Sequence, residues 1–213
     1  MTEDQRHLHP HKPFQAFRKA YHVVNSSMIP LYYWYNPFHV EPAVLREHVL
    51  IVAGTGFVCF FLFDFFRLRV REFNNMIMKA FSFLIRKTEE KRFTGATFLC
   101  FAFLVVAFLF DRRVAITAML FLSLGDTAAE IGGRRFGRHK VFHKSWEGAF
   151  SFFLAGFPLA WALLDDWRVA ALGAAVGALV ELFSYHVDDN LTVPIGAAAA
   201  LWAGLLLFGV PLG

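Results

Sequence analysis

Long apolar runs, each bounded by clusters of charge, dominate the 213-residue chain. A bilayer crossing needs about 17–25 mostly apolar residues. Phe93–Phe110, Gly148–Leu164 and Leu191–Gly213 are uncharged runs of that size, and His48–Phe66 adds only Asp64 near its end. Ala20–Asn36 is shorter, and Asn25, Ser26, Ser27 and Pro30 inside it predict a kinked helix. Val114–Gly125 and Val169–Val180 are too short alone. They run on into Asp126 and Glu130, and into Glu181, which predicts carboxylates in the last turns of two spans. Between the second and third long runs, Phe73, Met76, Ile77, Ala80, Phe81 and Leu84 recur at helical spacing. That pattern predicts an amphipathic helix lying in the interface. The expected architecture is an all-α, polytopic integral membrane protein of about seven transmembrane helices plus one interfacial helix.

Composition supports this reading. Hydrophobic residues make up 57% of the chain, Phe alone contributes 27 residues, and the mean hydropathy is +0.46. No repeat or Ser/Gly-rich linker divides residues 1–213, so a single membrane-embedded domain is expected. Residues 1–16 are predicted to form a flexible cytosolic tail. The two cysteines, Cys59 and Cys100, lie inside apolar runs as plain packing residues.

Charge orients the chain. Of 21 Lys and Arg residues, four lie in the tail and first-helix start, eight in the 67–92 connection and five in the 132–147 connection. The other four are Arg46, Arg112, Arg113 and Arg168. With a cytosolic N-terminus, seven spans place every Lys/Arg-rich segment, and the 183–190 turn, on the cytoplasmic side.

Candidate chemistry gathers on that side. Asp126 and Glu130 are four apart and share a helix face. They precede Gly132, Gly133, Arg134, Arg135, Gly137, Arg138, Lys140, His143 and Lys144. Two carboxylates plus substrate phosphates are a usual Mg²⁺ environment. A glycine-rich turn lets backbone N–H groups approach phosphates that Arg and Lys neutralise. The basic residues alone also fit an ordinary positive-inside loop. Asp188, Asp189 and Asn190 open the last span: one of them suffices as a helix cap, so a metal-ligand or proton-accepting role is expected for at least one. At the first-helix entrance Arg18, Lys19 and His22 form a further polar group, which membrane anchoring explains equally well. Asp64 and Arg67, three apart, read as an interfacial ion pair. No P-loop pattern, H-E-x-x-H, C-x-x-C or G-x-S-x-G occurs.

Four segments in order, FRKAYH (17–22), EEKRFTGATF (89–98), GDTAAEIGGRRFGRHKVFHKSWEG (125–148) and VDDNLTVPIGA (187–197), resemble the CTP-dependent lipid-alcohol kinases: dolichol kinase, phytol kinase and the yeast-type diacylglycerol kinase. The resemblance implies a multi-span enzyme that transfers the γ-phosphate of CTP to a lipid hydroxyl with a divalent cation such as Mg²⁺. On this reading Asp126 and Glu130, with Asp188 or Asp189, are the expected metal ligands, and Asp126, Asp188, Asp189 and Lys144 the expected catalytic residues, with metal ligand and proton acceptor both open for Asp188 and Asp189. Nucleotide binding falls to Arg18, Lys19, His22, Gly132, Gly133, Arg134, Arg135, Gly137, Arg138, Lys140, His143 and Asn190. The expected partners are CTP, a lipid alcohol and the bilayer, with no nucleic acid; homo-oligomerisation stays open. The central segment is also similar to phosphatidate cytidylyltransferase (CDP-diacylglycerol synthase), whose usual late signature is absent. A non-enzymatic transporter or scaffold is a third reading; its charges are expected near the bilayer midplane, whereas here they crowd the span ends.

Overall fold

A computed structural model describes residues 12–81, 85, 87–185 and 187–211, with side chains from residue 19 onward except that of Lys87. Helix α1 (Lys12–Tyr35) is followed by α2 (Pro42–Arg69), the short α3 (Arg71–Ala80) and α4 (Gly95–Leu109). A rod built of α5 (Arg112–Leu120), a π-helical turn (Phe121–Gly125) and α6 (Asp126–Phe136) comes next. A two-stranded hairpin, β1 (Lys140–Val141) with β2 (Lys144–Ser145), leads into α7 (Trp146–Leu164), α8 (Trp167–Phe183) and α9 (Asp189–Phe208). The chain is therefore an all-α integral membrane protein. Among the described residues, α2, the α5–α6 rod, α7 and α9 are long and apolar enough to cross a bilayer, and α4 is a shorter apolar helix. With α1 and α8 they make seven main helices, and α3 covers the described part of the expected amphipathic stretch, whose Leu84 lies outside the described residues.

Two boundaries differ from those predicted. Residues 12–16 already belong to α1, so the tail expected at 1–16 is helical from Lys12; residues 1–11 lie outside the described residues. Helix α1 carries Pro30 within it. Its Ser26 hydroxyl donates to the His22 carbonyl (2.7 Å), keeping a buried hydroxyl satisfied within its own helix. Most consequentially, the rod does not stop at its carboxylates. Glu181 does sit in the last turn of α8, but Asp126 and Glu130 are followed by further helix to Phe136. Gly132 and Gly133 are therefore helical and form no turn.

The core lies where the rod crosses α7, α8 and α9. Every residue of Val114–Leu120 is buried, and the Phe121 and Phe152 rings meet edge to face at 5.7 Å. The π-turn is held from α1: the Ser123 and Ser27 hydroxyls are 2.5 Å apart, and Ser123 Oγ also donates to the Val23 carbonyl (3.2 Å). Thr127 Oγ1 donates to the Ser123 carbonyl at 2.7 Å, within the stretch where the regular ladder is interrupted.

The two ends of the bundle use charge differently. At the Lys/Arg-poor end all four arginines have fixed partners. Arg46 donates to the carbonyls of Ala107 (3.0 Å) and Phe108 (2.5 Å), and Arg112 to those of Tyr33 (3.0 Å) and Trp34 (2.9 Å). Cations there satisfy exposed carbonyls and meet the negative end of the helix dipole. Arg113 pairs with Asp165 (3.8 Å) and Arg168 with Asp166 (2.8 Å).

At the other end, the most demanding feature is an ion pair inside α2. Asp64 and Arg67 form the expected ion pair, near the end of α2, and both are fully buried. Their position is tolerable because each hydrogen-bonding group has a partner. Arg67 donates to Asp64 Oδ1 (2.9 and 3.1 Å), to Asn74 Oδ1 (2.9 Å) and to the carbonyls of Glu89 (3.1 Å) and Arg92 (2.8 Å). Asp64 Oδ2 accepts from the Thr94 amide (2.7 Å) and from the hydroxyls of Thr94 (2.9 Å) and Thr97 (2.6 Å). This pair pins the chain between α3 and α4. Arg67→Met should therefore lower stability by about 3–5 kcal/mol, the cost of leaving a buried charge unpaired. Arg67→Lys should recover only part of it, since one ammonium cannot replace a forked guanidinium. Denaturation in detergent micelles measures both.

Candidate active site

A cavity of about 570 Å³ opens at the Lys/Arg-rich end. All four motif segments reach its wall: Lys19 and His22 from α1; Glu89, Thr94, Gly95 and Ala96 from the pinned segment and the start of α4; Asp126, Thr127 and Glu130 from α6; and Asn190 from α9. Met28, Ile29, Phe60, Phe63, Leu99 and Cys100 supply an apolar remainder. Local structure explains how each group arrives there. The π-turn sets the phase of α6, so that Asp126, Thr127 and Glu130 face the cavity. Gly95 donates its amide to Glu89 Oε1 (2.8 Å), and a Cβ on Gly95 would come within 2.6 Å of Asn190 Nδ2. A side chain at this position would displace the Asn190 amide from its place at the start of α9.

The charges on the wall are interlocked. Glu130 pairs with Lys19 (2.7 Å) and with Arg134. Just beyond the wall, Lys144 Nζ lies 2.8 Å from Glu181 Oε1 and 3.3 Å from Asp189 Oδ2, and it also donates to the Glu181 carbonyl (2.8 Å). The Lys144 and Glu181 side chains are only 12% and 6% exposed, so each makes the other's burial affordable. Burial opposes the ammonium, but Asp189 and Glu181 outweigh it, and the Asp126 carboxylate acts in the same direction; the Lys144 pKa is raised above its ordinary value. Lys144 is therefore cationic throughout the physiological range.

Several sequence candidates stand elsewhere than expected. Asp188 caps α9, accepting from the Asn190 amide N–H (3.0 Å) and from Asn190 Nδ2 (2.7 Å). Asp189 faces Lys144, and neither aspartate is on the cavity wall. Among the described residues no three His, Cys, Asp or Glu side chains converge as a metal cage, so Asp126, Glu130, Asp188 and Asp189 do not form one cluster. Gly132 and Gly133 pack α6 on α7 and present no phosphate-binding turn: a Cβ on Gly132 would overlap the Ser151 hydroxyl, and one on Gly133 would lie 3.1 Å from Ser145 Oγ. Gly137 ends α6, donating its amide to the Gly133 carbonyl (3.2 Å). Arg135 lies over the Phe136 ring at 5.7 Å. Arg134, Arg135, Arg138, Lys140 and His143 are exposed around the hairpin, beside the cavity rather than in it. The side chain of Arg18 lies outside the described residues.

Asn25, Glu89 and Thr127 are wall residues that the motif reading did not single out as functional. Asn25 carries a legible signal, an amide in an apolar span. Glu89 reads as the flank of a helix until Arg67 and Thr94 are seen to fold its segment inward.

No family model matches the chain, and no solved structure does. Individual relatives are informative. The phytol kinase of Synechocystis is 37% identical over 106 residues, covering 44% of this chain and 46% of that relative. A probable chloroplastic phytol kinase of rice is 33% identical over 141 residues, covering 56% and 44%. The CTP-dependent diacylglycerol kinase of Saccharomyces cerevisiae is 25% identical over 227 residues, covering 89% and 75%. The chain spans a little under half the length of the two phytol kinases. Its homologues are thus phytol kinases and CTP-dependent diacylglycerol kinases, the lipid-alcohol kinases its motifs resemble.

Helix packing is the role the structure gives the Gly-Gly pair. Gly132→Ala should lower stability by about 1–3 kcal/mol through overpacking. Ser151→Gly should restore most of that loss, as read by thermal unfolding of the single and double variants. A phosphate-binding role for Gly132 predicts no such rescue.

Proposed function

We propose that the chain is a CTP-dependent kinase that phosphorylates the hydroxyl of a membrane lipid alcohol, with its N-terminus and active-site loops on the cytoplasmic side. The observation that carries this reading is the meeting of four separated motif segments at one cavity with a polar and an apolar part. A water-soluble nucleotide and a lipid meet only at such a boundary.

Phosphoryl transfer is largely positioning and charge stabilisation, and the wall supplies both. The chemistry of the donors suits Mg²⁺, which takes hard oxygen ligands and commonly binds one or two carboxylates plus phosphate oxygens. Asp126 and Glu130 offer two carboxylates on one face, and when bound the cation would neutralise phosphate charge. Glu130 is held in reserve by Lys19 and Arg134. A nucleotide drawing those two cations to its phosphates frees that carboxylate in the same motion. Arg138, Lys140 and His143 stand exposed at the rim to receive the polyphosphate. Asp188 acts through Asn190, whose amide it orients toward the cavity, and Asp189 acts through Lys144. Both are positioning residues here.

Given CTP labelled at the γ-phosphate, a lipid alcohol and Mg²⁺, label should appear in the lipid and CDP in solution. Release of label as pyrophosphate with CMP on the lipid would reject the kinase in favour of a cytidylyltransferase. Asp126→Asn should lower kcat at least about 100-fold, the usual scale for losing one preorganised electrostatic group, with unchanged unfolding behaviour. The orientation has its own test. Single cysteines placed between 134 and 143 should react only with reagent on the cytoplasmic face, and cysteines at Arg112 or Arg168 only from the opposite face. The reverse pattern overturns the placement.

A further inference from the structure

Helix α1 presents to the cavity a stripe of side chains that grades from charged to apolar. Lys19, His22, Asn25, Met28 and Ile29 recur at three- and four-residue spacing, so they share one helix face, and all five line the wall. Asn25 is the last polar group of the stripe. Met28 and Ile29 follow it along α1, and Phe60, Phe63 and Leu99 complete the apolar part of the wall.

The other polar side chains around it are engaged within the protein. Ser26 Oγ donates to the His22 carbonyl (2.7 Å), Ser27 Oγ lies 2.5 Å from Ser123 Oγ, and Asp188 holds the amide of Asn190 (2.7 Å). Asn25 differs: among the described residues its side-chain amide has no hydrogen-bond partner. An amide in apolar surroundings is costly unless it is hydrogen-bonded. Local conformation does not account for it either, since asparagine is a weak helix former. What remains for Asn25 to meet is the molecule that fills the cavity.

Contacts between α1 and the rod fix the depth of this amide. Lys19 meets Glu130 (2.7 Å), while the Val23 carbonyl and the Ser27 hydroxyl both meet Ser123. The two helices therefore run antiparallel here, and Asp126 is level with about His22. Asn25 lies roughly three residues deeper, about 4–5 Å at about 1.5 Å per residue. An oxygen attacking the γ-phosphate approaches from the side away from the nucleotide, with the reacting atoms about 3–3.5 Å apart. With the phosphate near Asp126, that side is the apolar one, at the depth of Asn25. A side-chain amide offers both a carbonyl acceptor and N–H donors, which suits a hydroxyl, itself donor and acceptor.

We propose that Asn25 binds the hydroxyl of the acceptor, its side-chain carbonyl accepting the hydroxyl hydrogen and holding the oxygen at the level where the γ-phosphate arrives. The use of that oxygen in transfer rests on the lipid-kinase reading; recognition of the hydroxyl does not. Asn25 is neutral and takes up no proton.

Asn25→Leu keeps the branched shape and removes the amide. Its unfolding temperature in micelles should equal or exceed that of the parent chain, because no protein contact is lost. Phytol and phytene differ only by the hydroxyl, as do dioleoylglycerol and propane-1,2-diol dioleate. Displacement of the radiolabelled alcohol from purified protein should show at least one alcohol bound about tenfold more tightly than its hydroxyl-free counterpart, the usual net worth of one hydrogen bond. Asn25→Leu should erase that difference, and Asn25→Gln should keep part of it. In turnover, Asn25→Leu should lower kcat/KM for the alcohol about tenfold and leave KM for CTP unchanged. A hydroxyl preference that survives Asn25→Leu, or no preference within either pair, overturns the proposal. A clear drop in unfolding temperature for Asn25→Leu makes the amide a packing group and overturns it as well. Phosphate transfer that Asn25→Leu does not alter overturns the proposal and leaves the kinase reading intact. A preference erased by Asn25→Leu in a chain that transfers no phosphate leaves the proposal standing and removes the kinase reading instead.

Discussion

A charged pair buried near the end of a helix must find all its partners within the protein, because it is cut off from water. Asp64 and Arg67 meet this constraint by recruiting backbone from a distant part of the chain. The carbonyls of Glu89 and Arg92 and the amide of Thr94 are consumed in the process. The segment that bears Glu89 and Gly95 is thereby folded inward against the bundle, and α4 begins where Thr94 and Thr97 hold the Asp64 carboxylate. One wall of the cavity is thus a by-product of satisfying two charges. Their contribution is to specificity of arrangement more than to net stability, since replacing such pairs by apolar groups is often neutral elsewhere.

The same economy governs the hairpin beside the cavity. Lys144 is a lone cation carried by a two-residue strand, yet it is set between Glu181, at the end of one helix, and Asp189, at the start of the next. It joins the hairpin to the α8–α9 turn, and Phe142 reinforces the join by stacking on Tyr185 at 4.7 Å. Phe142 has φ +54, a conformation uncommon for an aromatic residue. The hairpin therefore trades local backbone comfort for attachment to the turn it must face.

Much of this was legible in the sequence. Run lengths located the long helices, and helical spacing located α3. The Lys and Arg distribution separated the two ends of the bundle, and the structure adds that the four exceptions, Arg46, Arg112, Arg113 and Arg168, are occupied by carbonyls or carboxylates. Of the residues singled out in the motifs, Lys19, His22, Asp126, Glu130 and Asn190 line the cavity. What was not legible depends on contacts remote in sequence. Glycine pairs next to arginines read as a phosphate-binding turn, but whether Gly132 bends or packs is decided by Ser151, nineteen residues away. Likewise nothing local reveals that Asp64 and Arg67 are buried, because their partners lie at 74 and 89–97.

The π-helical turn at Phe121–Gly125 adds a constraint of counting rather than of chemistry. It accommodates one more residue per turn than its neighbours, so the rod before it and the rod after it are out of phase. Before the turn the rod is sealed in the core; after it, one face carries Asp126, Thr127 and Glu130. Loss of a single residue there would leave an unbroken, regular helix, yet each later side chain would be swung by about 100° and Asp126 would no longer face the cavity. In this stretch the number of residues matters to the cavity as much as their identity, and a chain with every motif intact but one residue fewer would be a well-formed membrane bundle whose α6 carboxylates are turned away from the cavity.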